Sequence, residues 1–503
     1  MPATDNTPVI VGAGQCVRRE ATTEAPVDLA AEACQQALAA CGSTDALEAI
    51  DTIALVKTFA DSISIWATDA GTSNNPPQSV AQRIGAAPRD RIYSETGGNE
   101  PQSLLVEFFA DLTAGRRDMV LLAGAEAIRN ERSARRNGIK LDWAESHDEP
   151  MEDRGFGKFV ANDQEVSNGL VMPVYYYQLI EQARRLRLGQ DRAAYLRDMA
   201  AMLAEFSEVA SSNPHSQFPL PLTEADILGA EPITDLYTKR MIAQDSVNQG
   251  AALLLTTVGT ARKLGIPESR FVYLHGAAQG IEIDLSLRPD PSRSEMASRV
   301  VDAALAMAAT DVAHIDLWDI YSCFPCAVTA ISDHLGLAPD ARFTLTGGLP
   351  YFGGPGNNYS THALAEMWSR LTSGHGKTAL IHANGGVMSK HAAGVYSTEP
   401  AGISWDTVAT VIDTALLAAR EQEASPDQGT IISYSINYVA GDPVQAIVLC
   451  DTDEGRRFVC CSDPGDRDTL AAMLASEPAG RRVAVRPHPD QEHTLHFQFA
   501  ELT

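Results

Sequence analysis

Two glycine-rich segments of this sequence each stand immediately before a helix-like stretch. The first is ETGGNEPQ at 95–102, and the second is TLTGGLPYFGGPGNNY at 344–359. Glycine allows close approach to the backbone, and the N–H groups and dipole at a helix N-terminus attract an anion or a developing oxyanion. We therefore expect one oxyanion-binding site built from both turns, with backbone donors at Gly98, Gly354 and, in the strand-like segment after the second turn, Gly385.

Two cysteines in YSCFPC, Cys323 and Cys326, are the thiols of most chemical interest. The pattern predicts them at the end of a strand and the start of a helix, close to the expected site. Cys323 is a candidate nucleophile, but both thiols can equally be buried packing residues. A metal site would need a second ligand pair at suitable spacing, and Cys460 and Cys461 are distant in sequence. We predict no metal site.

Three histidines follow or lie within the glycine-rich region. His391, in SKHAAGVYS, is a candidate acid or base because histidine titrates near neutral pH. His382 lies along a predicted strand and is as readily a core histidine. His362 falls inside the second glycine-capped helix, where the sequence does not decide whether it faces the site.

Amide side chains flank the same turns. They can donate hydrogen bonds to a carbonyl oxygen, or they can cap the loop and the helix, and both interpretations stay open. Glu100, the carboxylate nearest to Gly98 in the sequence, is a candidate general base. The amide residues are Asn99, Asn357, Asn358 and Asn384.

The elements around the two turns repeat in order. After the first turn, apolar residues recur at helical spacing as far as Gly115, and the strand-like MVLLAGAEA follows. After the second, a similar stretch ends at Gly374 and Gly376, and TALIHANGG follows. This repetition predicts a duplicated α/β unit, and the alternation elsewhere predicts mostly parallel sheets covered by helices on both faces.

Changes of character along the chain predict its domains. Residues 129–245 are polar and irregular, which favours an inserted loop domain within a first half of 1–265. The strand–helix alternation returns over 266–424. From 425 to 503, short alternating segments broken by turn residues predict an antiparallel β-barrel of the OB (oligonucleotide/oligosaccharide-binding) type.

Composition limits the classes of partner. The chain has 503 residues, enough for about three domains. Its formal net charge of -26 repels phosphate, which argues against nucleic acid and anionic membranes as partners. No run is apolar enough to span a bilayer, and the opening residues lack the order of a signal peptide. Eight cysteines in so long a chain predict no disulfide framework and a cytoplasmic location.

Several segments between residue 8 and about residue 400 resemble the thiolase superfamily, and especially its sterol-carrier-protein type. VIVGAGQ resembles the opening strand of the family, and HANGG resembles its CxGG loop. The other matching segments, taken in chain order, are AGRRDMVLLAGAE, SNPHSQF and LGLAPDARFTLTGGLPYFGGPGNN. The resemblance implies a duplicated βαβαβαββ core in five α/β/α/β/α layers, with the barrel as an extra domain.

The same resemblance shows which catalytic side chains this sequence lacks. The position of the nucleophilic cysteine is Gly98, and that of the histidine in the GHP loop is Gly354. The second cysteine corresponds to Ala383, and the asparagine of the NEAF motif corresponds to Tyr321. Only the glycine-rich backbone of such a site remains.

The resemblance implies a protein that handles acyl-CoA or a related thioester in lipid metabolism. It implies acyltransferase or Claisen-type chemistry, with the CoA thioester as ligand and no separate cofactor. A non-catalytic acyl-CoA-binding or partner-recruiting protein is the alternative. Tyr321 would then contact substrate, and Arg132 and Arg135, in the basic stretch after residue 128, would hold CoA phosphates or form a solvated face. The chain would be a monomer or a homodimer.

Overall fold

The computed structural model describes residues 3–338, 342–400 and 410–500. Within them the chain forms two mixed sheets and one closed barrel. Residues 339–341, which belong to the thiolase-like segment LGLAPDARFTLTGGLPYFGGPGNN, lie outside this range. The elements up to the loop region are β1 (Pro8–Val17), α1 (Pro26–Cys41), α2 (Ala46–Ala49), β2 (Thr52–Leu55), α3 (Phe59–Ser62), α4 (Pro76–Ile84), β3 (Asp90–Tyr93), α5 (Glu100–Thr113) and β4 (Met119–Glu126).

The region predicted as an insertion forms mainly helices and then returns to the first sheet. Two of these helices are much longer than the others, and one two-residue strand reaches the sheet edge. These elements are α6 (Ile128–Asn137), β5 (Glu152–Asp153), α7 (Asp163–Ser167), α8 (Pro173–Arg187), α9 (Arg192–Ser212), α10 (Glu224–Leu228), β6 (Gln249–Thr257) and α11 (Val258–Lys263).

The remaining elements build the second sheet and the barrel. Those of the second sheet and its helices are β7 (Tyr273–Ile281), α12 (Glu295–Met307), β8 (Leu317–Ile320), α13 (Pro325–Leu335), α14 (Tyr359–Thr372), β9 (Thr378–Gly385), β10 (Lys390–Ser397) and β11 (Thr410–Ile412). Those of the barrel are β12 (Gln428–Val439), β13 (Asp442–Asp451), β14 (Arg457–Cys461), α15 (Arg467–Ala475), β15 (Arg482–Pro487) and β16 (Leu495–Phe499).

The two sheets confirm the predicted duplication. Their strand orders are β1-β6-β4-β2-β3-β5 and β11-β7-β10-β9-β8. In the first, β4 is antiparallel to β6 and parallel to β2; in the second, β9 is antiparallel to β10 and parallel to β8. The helices α5 and α14 therefore precede equivalent central strands, as their glycine turns predicted.

The layers also follow the prediction. Helices α5 and α14 contact strands of both sheets and form the central layer. Helices α1 and α4 cover the outer face of the first sheet, and α12 and α13 cover that of the second. Continuous apolar strands such as β4, whose eight residues are all buried, suit a sheet covered on both faces.

In the part of the chain that the structure describes, the second half lacks a strand that the first half has just before its central helix. Between α13 and α14, the described residues contain no counterpart of β3. The N–H of Ile320 donates to Phe343 O at 2.9 Å, but the chain then turns toward Asp319, whose carboxylate accepts the N–H groups of Leu345 and Thr346. Because these donors bond a side chain, no strand ladder continues.

The C-terminal barrel has the OB order. Its strands close in the order β12-β13-β14-β16-β15. Along the chain, α15 lies between β14 and β15, the third and fourth strands in sequence. The predicted barrel is confirmed, and it has five strands. Two features were not predicted, namely the helix α15 and the parallel pairing of β14 with β16.

The barrel has two apolar faces. Its interior forms a separate core. The outward side chains of β13 and β14, by contrast, belong to the main core of the protein (Ile447, Leu449, Val459 and Cys461). Gln164 of α7 clamps this face, since its Nε2 donates to Glu423 O and its Oε1 accepts from Val459 N, both at 2.9 Å. The limits at residues 265 and 424 stay predictions.

Candidate functional site

The turn before α5 meets the end of β9 between the two sheets. The carbonyl oxygen of Gly98 accepts a hydrogen bond from Ser360 Oγ of α14 at 2.8 Å, so the two central helices join at this turn. A Cβ at Gly98 would overlap the phenol oxygen of Tyr321 and lie 2.5 Å from Asn384 O. Tyr321 thus fills the space that a side chain at position 98 would need.

The three predicted backbone donors do not share one environment. Among the described residues, no acceptor bonds the Gly98 N–H. Gly385 lies against this turn, since a Cβ there would come within 3.0 Å of Gly98 N. The Gly354 N–H, however, donates to Gln244 O at 2.8 Å and is not available to a ligand. Gly98 and Gly385 thus lie side by side, and Gly354 does not join them as a donor.

Two buried amide oxygens point into this region without a donor. They are Asn99 Oδ1 and Asn384 Oδ1, and no described residue bonds either of them. Asn99 Nδ2 donates to Glu100 Oε1 at 3.0 Å, and Asn384 Nδ2 donates to Tyr177 Oη at 2.8 Å. Because buried acceptors are nearly always bonded, an unbonded pair marks a place for a water or a ligand donor.

Asn357 and Asn358 act as anchors of the second turn. Asn357 Nδ2 donates to Lys57 O at 2.7 Å, and Asn358 Nδ2 donates to Gly124 O at 2.6 Å. Asn358 Oδ1 also accepts from Thr361 Oγ1 at 2.6 Å. These bonds tie the second turn to the first sheet, so both side chains are structural anchors. Asn358, the residue before α14, makes no side-chain bond to the helix backbone and so does not cap it.

The sequence reasoning missed Asp319, which also holds the second turn. Its buried carboxylate accepts from Leu345 N at 2.8 Å and from the hydroxyls of Thr344 and Tyr359 at 3.1 Å. Burial raises the pKa of Asp319 to about 6. An acidic residue in an otherwise apolar strand, LWDI, was the available signal.

The geometry does not favour Cys323 as a nucleophile. Burial raises its pKa to about 12, whereas a nucleophilic cysteine needs a lowered pKa. Its Sγ is 3.8 Å from Asn384 Nδ2. Burial also raises the pKa of Cys326 well above its usual value, and that thiol bonds Tyr177 O at 3.6 Å. Both contacts fit the packing interpretation.

The histidines are buried and held neutral. Burial lowers the pKa of His391 to about 3, and its ring is bonded to Ser294 Oγ at 3.2 Å and to His382 Nε2 at 3.3 Å. His362 donates to Gln15 Oε1 at 2.8 Å, and burial lowers its pKa to about 3 as well. A base that must accept a proton near pH 7 needs a higher pKa, so neither residue suits that role.

A solved structure matches this chain over nearly its whole length. The monomeric SCP2-thiolase-like protein type 1 of Mycobacterium smegmatis shares 33% identity, with 99% of this chain and 100% of the other covered, and a TM-score of 0.82. The chain belongs to the SCP2-thiolase-like proteins of the thiolase superfamily.

Two further structures share the fold of this SCP2-thiolase-like chain. The human mitochondrial 3-ketoacyl-CoA thiolase in complex with CoA is 16% identical, with coverages of 79% and 100% and a TM-score of 0.56. The Ltp2-ChsH2(DUF35) aldolase is 17% identical, with coverages of 78% and 98% and a TM-score of 0.57. No protein-family model matches the sequence, and no curated protein matches it significantly.

The basic stretch of this SCP2-thiolase-like chain forms α6. Arg132 makes a bidentate ion pair with Asp245 at 2.6 and 2.7 Å, so Asp245 already neutralises its charge. Arg135 is exposed on the same helix. The structure places neither residue against the first turn, and CoA phosphate binding here stays a prediction.

Lys390 is a second residue that the sequence reasoning missed. Its side chain is 6% exposed, and Nζ donates to Thr96 O at 2.9 Å, one residue before the glycine turn. Burial lowers the pKa of this lysine, and Glu100 and Glu95 oppose that shift. The available signal was a single charged residue at the start of the otherwise uncharged strand KHAAGVYS, directly before His391.

Three further features hold for the described residues. No group of three or more histidine, cysteine, aspartate or glutamate side chains is arranged to hold a metal ion. No described helix is both long and apolar enough to cross a membrane. All eight cysteines are buried, and none forms a disulfide.

Proposed function

We propose that this SCP2-thiolase-like chain binds the CoA thioester of an acyl or 3-oxoacyl group and forms no acyl-enzyme with it. The observation that carries the proposal is the overlap between Tyr321 and any side chain at position 98. The usual place of the nucleophile is physically filled, and the nearby Cys323 is a protonated packing thiol. A thiolase of the same fold, named as a complex with CoA, supports the choice of ligand.

The chemistry left to such a site is Claisen or retro-Claisen reaction at the α-carbon of the thioester. The thioester oxygen would accept from the Gly98 N–H, which among the described residues bonds nothing else. A fold neighbour that is named as an aldolase also acts on carbon–carbon bonds. We assign the substrate to fatty-acid or sterol-type lipid metabolism in the cytoplasm, where the eight thiols stay reduced.

The binding-protein alternative would use the thioester site without turnover. Recruitment of a partner through the barrel is disfavoured, because α7 already covers the outward side of β14. An OB barrel binds oligonucleotides and oligosaccharides on the face of its second and third strands, here β13 and β14.

We also propose a monomer. Strand β3 is not a free edge, because it pairs with the chain's own two-residue strand β5, with Ile92 opposite Glu152 and Tyr93 opposite Asp153. Lys57 forms an ion pair with Asp153 beside it. A covered edge with charges on it resists pairing with a second copy. The relative from Mycobacterium smegmatis is named as monomeric.

Calorimetric titration and intact-protein mass test the central proposal. Acetyl-CoA, acetoacetyl-CoA and free CoA are each titrated into the full chain, and the mass is measured after the thioesters are added. We expect saturable binding of the thioesters and no added acyl mass. An acyl adduct that Cys323→Ser abolishes would contradict the proposal, and so would a complete lack of binding. Turnover of the bound thioester would show that the chain is an enzyme, whereas binding without turnover would favour the binding-protein alternative.

A further inference from the structure

An open cleft of about 290 Å³ lies beside the first glycine turn. Its walls are one side of α5, including Glu100 and Ser103, together with Arg154 and Gln279 of β7. Gln279 brings the second sheet to the floor of the cleft. It pairs with Ala392, two residues after Lys390, so Gln279 and Lys390 lie on the same face of that sheet. The cleft thus opens next to the buried lysine and the start of α5.

Asn99 connects the cleft to the glycine turn. Its Oδ1 has no donor among the described residues and lies so close to Gly97 and Gly385 that a Cβ at either would overlap it. Its Nδ2 donates to Glu100 Oε1 at 3.0 Å. The side-chain amide of Asn99 therefore lies between the Glu100 carboxylate and the N–H of Gly98, which bonds no acceptor among the described residues.

Charged groups surround Glu100 from several elements. Glu95 precedes the turn, Lys390 comes from β10, and Arg154 follows β5; Glu107 lines the same cleft from α5. Glu100 itself is 7% exposed. Burial, and then the charge of Glu95, raises its pKa to about 7, whereas Lys390, the Asn99 hydrogen bond and Arg154 oppose the rise. A carboxyl group with this pKa can accept and return a proton at neutral pH.

We propose that Glu100 is the base that removes a proton from the α-carbon of a CoA thioester bound between this cleft and the Gly98–Gly385 turn, and that Lys390 is a positioning charge for that carboxylate. This rests on the proposed function. In the step, the Cα–H bond breaks and the proton passes to Glu100. The electron pair moves into the thioester to form an enolate, whose oxygen accepts from the Gly98 N–H. Return of the proton restores the thioester, so no other reactant is needed.

Deuterium incorporation into propionyl-CoA in D₂O measures this step directly. The wild-type chain should label the α-carbon, and Glu100→Gln should lower the labelling rate about 10²- to 10⁴-fold while calorimetric affinity is retained. Glu165→Gln is the matched control, since Glu165 is also buried with a pKa raised to about 7 but bonds Ser286 N at 2.7 Å, away from this cleft. It should label at the wild-type rate.

The pH profile distinguishes this role from a structural one. The wild-type labelling rate should rise with pH to a plateau, with a midpoint near 7. Removal of the lysine charge in Lys390→Met raises the pKa of Glu100, so the midpoint should move to higher pH, and Lys390→Arg should restore it. An unmoved midpoint, or Glu100→Gln at the wild-type rate, would overturn the inference. Binding of propionyl-CoA without any labelling would overturn the inference alone; absence of binding would overturn the proposed function.

Discussion

The phenol oxygen of Tyr321 would overlap a Cβ built on residue 98, and Tyr321 Cζ lies 2.8 Å from the position of that Cβ. Tyr321 is 6% exposed and comes from the segment after β8, so it cannot move aside into solvent. The two positions are therefore coupled: glycine at 98 permits the tyrosine, and the tyrosine excludes a nucleophile. A cysteine at position 98 would therefore change the packing of the site as well as its chemistry.

The first prediction follows from that overlap. Gly98→Cys should lower the free energy of unfolding by about 1–3 kcal/mol, because a buried side chain is forced against Tyr321. Tyr321→Ala should therefore cost less stability in the cysteine variant than in the wild type, with a coupling of about 0.5–3 kcal/mol in a double-mutant cycle from urea denaturation. Gly354→Ala is the control, since a Cβ there has its nearest atom at an ordinary 3.4 Å. Additive effects at 98 and 321 would contradict the coupling.

The elements at the site could be read from the sequence because their signals are local. Apolar spacing in 104–112 predicted α5, and MVLLAGAEA predicted β4; the equivalent stretches predicted α14 and β9. The meeting of Gly98 and Gly385 followed from the duplication. These inferences need only periodicity, turn residues and the rule that equivalent units pack alike.

The state of each candidate side chain could not be read in the same way. His391 is a poor base because Ser294 and His382 surround it in a buried layer, and those contacts arise from tertiary packing. Arg132 is neutralised by Asp245, far along the chain. Burial and distant partners set pKa values, and a single sequence shows neither.

The second prediction concerns the pH dependence of stability. Glu126, at the end of β4, is 3% exposed and accepts from Phe59 N at 2.7 Å. Burial raises its pKa from 4.5 to about 8. The folded state then binds the proton more tightly than the unfolded state, so the free energy of unfolding should fall as pH rises from 4.5 to 8, by at most about 1.4 kcal/mol per pH unit from this group.

Glu126→Gln keeps the acceptor for Phe59 and removes the titration. In denaturant unfolding between pH 5 and pH 9, this variant should gain stability over the wild type as pH rises. Glu48→Gln, at an exposed position on α2, serves as the control and should follow the wild-type curve. Parallel curves for Glu126→Gln and the wild type would show that this carboxyl does not titrate as the structure implies.

The third prediction concerns the anchor of the second turn. Asp319→Ala leaves the buried N–H of Leu345 and the hydroxyl of Thr344 without their acceptor, at a cost of about 1–3 kcal/mol for each group. We also expect faster amide exchange at residues 345–348. The matched control is Asp316→Ala: this carboxylate also accepts two backbone N–H groups, from Lys377 and Thr378, but it is exposed, so water can replace it. Equal losses in the two variants would rule out burial as the cause.

The last prediction concerns the barrel, whose outward face is part of the main core. Val459 of β14 is fully buried there, and its N–H donates to Gln164 Oε1 at 2.9 Å. Val459→Asp should destabilise the whole protein by about 3 kcal/mol or more, because a carboxylate would be buried between the barrel and α7 without a partner. Val444→Asp, in the neighbouring strand β13 but 41% exposed, should change stability by no more than about 0.5 kcal/mol. A truncation after residue 424 should expose the surface under β14 and aggregate. If the truncated chain stays monomeric with the thermal midpoint of the full chain, or if Val459→Asp behaves like Val444→Asp, then the barrel is an appended module and its contact with α7 contributes no stability.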